Sequence, residues 1–130
     1  MTRFGIVGDV RQSQPPVAVV VSFIDAINHG DVETLAALMS ADHRLQVLDE
    51  EPLVGREANE AAWRGYATAF PDYVIYPHQF VDNGDEVLVH GHTTGSHLGL
   101  ADEEERQLPV TWRAIVHDGA VTLWQILEVT

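Results

Sequence analysis

The feature that most limits what this chain can fold into is the change of hydrophobic period at Phe70-Pro71. Upstream, apolar residues recur every three or four positions; downstream they alternate with polar ones. Helices first and strands afterwards do not build the alternating units of a parallel α/β sheet. They segregate the helices onto one face of an antiparallel sheet, so the fold class is read as α+β.

Val17, Val20, Val21, Ile24 and Ile27 keep helical spacing over about residues 15–28. Pro15-Pro16 suits the first turn of that helix and Asn28-His29-Gly30 its end. Asp31 is placed to cap a second, short helix with Leu35, Leu38 and Met39 on its apolar face. Residues 55–70, with Ala58, Ala62, Tyr66 and Ala69 on one stripe, predict a third helix that Pro71 stops. Residues 43–48 predict an early strand, and residues 73–81, 86–97, 107–117 and 120–129 predict four more. Asp82-Asn83-Gly84-Asp85, the acidic run Asp102-Glu103-Glu104-Glu105 and Asp118-Gly119 separate them, as turns do in antiparallel hairpins.

A chain of 130 residues supports one core. It is divided into an N-terminal arm, residues 1–14, without clear periodicity, and a single domain, residues 15–130. No apolar run is long enough to span a bilayer and the N-terminus has no basic or apolar leader region, so a cytoplasmic protein without membrane contact is expected. The absence of Cys excludes disulfides, thiolate nucleophiles and Cys-based zinc sites. A formal charge of −13 repels phosphate backbones, which excludes nucleic acid as a partner. The acidic runs at Asp49-Glu50-Glu51 and residues 102–105 read as solvated loops.

The residues fit for chemistry lie mainly in the second half. On the last strand Trp124 and Glu128 stand at alternate positions, which under strict alternation puts an indole and a carboxylate on one pocket wall. Trp63, Tyr66, Trp112 and Trp124 supply the flat apolar area that a cyclic organic ligand needs, and Arg113, next to Trp112, suits an anionic ligand group or one of the many acids. His90 and His92 share one strand face, a two-residue metal pattern without a third ligand; no metal or other cofactor is expected, and His92 is grouped with the ligand-binding residues. Ordinary core packing is the competing reading for each aromatic residue, and a hydrogen-bonded neutral ring for each histidine.

Several short segments also carry a resemblance. Phe23 to Asp31, Leu53-Val54-Gly55-Arg56-Glu57-Ala58, Phe70-Pro71-Asp72, Gly84-Asp85-Glu86-Val87, Gly95-Ser96-His97-Leu98-Gly99 and Asp118-Gly119 occur in the order found in the polyketide cyclase (SnoaL-like) branch of the nuclear transport factor 2-like superfamily. The chain resembles that branch from about Pro15 to Val129. The resemblance implies a cone-shaped domain with three N-terminal helices packed on a curved antiparallel sheet around one cavity. It also implies a small hydrophobic or cyclic organic ligand, pairing of two copies through the sheet, and acid/base chemistry. Glu128 matches the position where the family carries a catalytic Asp, and His97 matches the cavity wall, so these two are the expected catalytic residues. A non-catalytic ligand-binding or homodimeric interaction domain of the same fold is the alternative.

Overall fold

The computed structural model describes residues 14–129, so the expected arm lies outside it except for Gln14. The elements are α1 (Pro16–Asn28), α2 (Val32–Ala37), β1 (Met39–Val47), β2 (Leu53–Val54), α3 (Arg56–Ala69), β3 (Val74–Asn83), β4 (Glu86–Thr94), α4 (Asp102–Glu105), β5 (Val110–His117) and β6 (Ala120–Val129). The α+β expectation holds, with two corrections. The acidic run forms one turn of helix, making four helices among the described residues, and the sheet is mixed. Its order is β2-β1-β6-β5-β4-β3, and β1 runs parallel to β6.

Local chemistry accounts for the element ends. Pro16 opens α1, where a missing N–H costs nothing. Asp31 caps α2 by accepting hydrogen bonds from the Thr34 amide (3.2 Å) and hydroxyl (2.7 Å). Asp118 and Gly119 both take positive φ, the two-residue turn whose twist suits the β5–β6 hairpin. At the end of α1 the Asn28 amide imitates a strand residue: it donates to the Ile75 carbonyl (2.9 Å) and accepts the Ile75 amide (2.8 Å). That pair fastens the helix to edge strand β3.

Alternation gives the sheet two faces. Val87, Val89, Val110, Trp112, Ala114, Val116, Val121 and Trp124 point inward and are buried against Val19, Val20, Phe23, Ile24 and Ile27 of α1. At about 25 cal/mol per Å² of apolar surface, this shared face is the main source of stability in a chain without cross-links. α3 packs against α2 and β1, and leaves its own Ala58, Ala62 and Ala69 exposed. The stripe it turns inward is Asn59, Trp63 and Tyr66, so the expected alanine face is corrected by about a third of a turn. Among the described residues no helix is long and apolar enough to cross a membrane.

Candidate functional site

The concave face, α1 and the inner stripe of α3 enclose a set of polar atoms that the fold leaves unused. His43, on β1, is fully buried with its ring against Phe23, at 5.8 Å between centroids. Its Nδ1 donates to the Val121 carbonyl at 2.6 Å, which fixes the proton on Nδ1 and leaves Nε2 as a bare acceptor. Burial pushes its pKa below the usual imidazole range, against the smaller opposing effects of the Val121 bond and Asp42. The ring is therefore neutral at neutral pH. Asn59, also fully buried, directs its amide hydrogens at the carbonyls of Gly55 (2.8 Å), Leu53 (3.1 Å) and His43 (3.2 Å).

Four buried side-chain atoms have no hydrogen-bond partner among the described residues: His43 Nε2, Asn59 Oδ1, Trp63 Nε1 and Trp112 Nε1. Their side chains form one connected wall. Asn59 reaches the His43 backbone, Trp63 is one turn further along α3, Phe23 lies against Trp124 (5.1 Å) as well as His43, and Trp124 stacks on Trp112 (6.1 Å). A buried unsatisfied polar group costs about 1–3 kcal/mol, so these two acceptors and two donors are buried atoms in the fold with hydrogen-bonding capacity to spare for a water or a ligand.

A second polar cluster closes the other end of α3. Glu105 is only 1% exposed; its carboxylate accepts the Thr93 hydroxyl and the Ser96 amide (3.3 Å). The Tyr66 hydroxyl accepts the His97 amide (3.1 Å) and lies 2.8 Å from His97 Nδ1. Tyr66 packs edge-on against Trp63 and Tyr73. Burial pushes the Tyr66 and Tyr73 phenols above their usual range, Tyr73 far above it, with Glu105 adding to both, so both keep their protons. Outside this cluster, Trp63, Tyr66, Phe70, Tyr73 and Asn28 line an open groove of about 400 Å³ that has no carboxylate in its lining.

The expected site residues therefore divide. Trp112, Trp124, Trp63 and Tyr66 lie on the inner wall or the groove beside it, and His97 is bound to Tyr66 but exposed. Glu128 is not on Trp124's face. The β5–β6 register slips between Thr111 and Trp112, so that Trp112 faces Ile126 while Thr111 faces Glu128; the extra residue, Leu127, turns Glu128 outward with Thr111, where it is exposed. No hydrogen bond or ion pair joins Glu128 to His97 among the described residues. Arg113 also faces outward, paired with Glu86 and reaching Gln125 (3.4 Å), and His92 is outward too, hydrogen-bonded to His78.

The sequence reading did not orient His43, and it missed Asn59 and Glu105. Glu105 had a legible signal: Ala101, Glu105 and Leu108 keep helical spacing across the acidic run and its flanks. His43 and Asn59 had none, since a polar residue at an inward position breaks the very pattern used to find inward positions.

Residues 20–124 match the family model for the SnoaL-like domain. Among solved structures, the chain is similar to an uncharacterised cystatin-fold protein from Novosphingobium aromaticivorans (TM-score 0.75, 16% identity, 89% of this chain and 100% of that one). It is also similar to a provisionally assigned polyketide cyclase from Sinorhizobium meliloti (TM-score 0.69, 23% identity, 84% and 93% covered). A third similar structure is TerC co-crystallised with polyporic acid (TM-score 0.69, 15% identity, 87% and 90% covered). At these identities the likeness is one of fold. No curated protein sequence matches the chain.

Proposed function

Given that the chain belongs to the SnoaL-like domain family, we propose that it is a small-molecule-processing protein which holds a compact cyclic organic ligand against the inner wall and moves a proton with His43. The observation that carries the reading is the His43 ring: buried, held in one tautomer by the Val121 carbonyl, with Nε2 free. A neutral imidazole with an unshared lone pair in an apolar setting is a general base. The indole N–H groups of Trp63 and Trp112 are donors suited to a carbonyl oxygen on which charge develops as a C–H proton leaves. Polyporic acid on TerC, a cyclic compound on a protein of similar fold, supports the ligand class. In this reading the base is His43, not Glu128, whose carboxylate is on the opposite face.

The test is hydrogen–deuterium exchange at C2 of 1-tetralone, a small bicyclic ketone, followed by NMR in deuterated buffer. The wild-type chain accelerates exchange, and His43→Gln lowers that acceleration by about 10²–10⁴. Glu128→Gln leaves it unchanged. Full exchange activity in His43→Gln, with loss in Glu128→Gln, returns the role to Glu128.

A second reading, binding without chemistry, draws on the aromatic groove: its lining of Trp63, Tyr66, Phe70 and Tyr73 offers contact area and no carboxylate base. It predicts ligand retention with no exchange in any variant. For both readings we propose a homodimer formed through the outer face of the sheet, where Ile115 and Leu123 lie among Arg44, Gln46 and Arg113.

A further inference from the structure

Three imidazoles stand on the outer face of the sheet, away from the proposed ligand wall. His90 Nδ1 is engaged by the Thr111 hydroxyl at 3.1 Å. The other two meet each other. β3 carries a bulge between Pro77 and Gln79, and the extra residue, His78, leans across to β4, where its Nε2 lies 2.8 Å from His92 Nδ1. The His92 ring is held from the other side by a parallel stack on Tyr76, 4.6 Å between centroids and 15° between planes. The Tyr76 hydroxyl in turn accepts the Thr94 hydroxyl at 3.3 Å. Two ring nitrogens on neighbouring strands thus share one position, with one of them supported from behind.

Two nitrogens so close hold a single proton between them. Doubly protonated, the pair places like charges in contact, and Arg106 adds a third positive charge nearby. The arrangement offers a two-nitrogen donor set. We propose that His78 Nε2 and His92 Nδ1 form a chelating site for a divalent late transition ion, with zinc as the representative case. Zinc–imidazole bonds of about 2.0–2.1 Å in a tetrahedral shell put two nitrogens about 3.3 Å apart, so the rings need open by only about half an ångström to exchange the shared proton for a metal. Imidazole pairs select zinc, nickel and copper over calcium or magnesium, which prefer oxygen. Among the described residues no three His, Asp or Glu side chains gather around a metal position, so water completes the shell and affinity is modest. The site is independent of His43 and of the proposed chemistry.

Calorimetric titration of the full chain with zinc chloride, in parallel with long-range ¹H–¹⁵N spectra of the imidazoles, tests this. The expected result is saturable binding that shifts the His78 and His92 ring nitrogens. His78→Gln and His92→Gln each weaken it at least about tenfold, His90→Gln leaves it in place, and calcium does not compete. Both His78 and His92 carry exposed surface, and circular dichroism of each variant confirms that the fold is intact. No binding at millimolar zinc, binding that survives both substitutions, or equal competition by calcium, which would locate the ion among carboxylates, each overturns the proposal.

Discussion

His43 holds a position whose cost depends on pH. Its pKa is depressed by burial, so the folded chain keeps the ring neutral while the unfolded chain takes up a proton below about pH 6.5. Unfolding then binds protons, and the stability associated with the neutral ring is present above that pH and lost as pH falls toward the folded pKa, at no more than about 1.4 kcal/mol per pH unit. Urea denaturation between neutral and mildly acidic pH is expected to show a shallower loss in His43→Phe than in wild type, with the two curves drawing together as pH drops. A constant gap between them counts against a buried neutral histidine. Single residues were the least legible scale in the sequence. Trp112 and Trp124 are buried, as their size and their alternation with polar neighbours suggest. Glu128 was misread because one extra residue, Leu127, inverts the side-chain order after it, and alternation carries no mark of a bulge.

At the scale of elements the sequence was far more informative. Breaks at Pro71, Gly84 and Asp118-Gly119 fall where the backbone turns, and the long strands were found within a few residues of their ends. What escaped was pairing, because the partner of β1 depends on contacts that no local pattern encodes. Two glycines give element-scale predictions of opposite sign. A Cβ on Gly91 of β4 would sit 2.2 Å from the Tyr76 carbonyl oxygen, a backbone atom of β3 that cannot move aside alone. Gly91→Ala is expected to destabilise by about 1–3 kcal/mol. Gly65, in the middle of α3, has open space around it, and Gly65→Ala is expected to stabilise by about 0.5–1 kcal/mol. Thermal melts of the two variants check both signs; a lower melting temperature for Gly65→Ala shows that α3 needs flexibility there.

Over the whole molecule, a charge of −13 keeps copies apart unless a surface compensates for it. The proposed outer-face contact would do so by apolar contact of Ile115 and Leu123, since Arg113 is already paired with Glu86 and Arg44 has Asp42 in the same patch. Light scattering is expected to give about twice the chain mass of 14.4 kDa, with Ile115→Glu returning it to a single chain. A monomeric wild type rules the contact out. The parallel pairing of β1 with β6 also bears on how the protein is made. Leu45 lies beside Trp124, and the Leu38 carbonyl accepts the Val121 amide, so β1 waits for a strand synthesised much later. With roughly eighty residues between partners, closure of this pair is a late and entropically costly step. Until β6 has been made, the only strand among the described residues that pairs with β1 is the two-residue β2, which makes the appearance of β6, not emergence of the helices, the event that permits native assembly of the sheet.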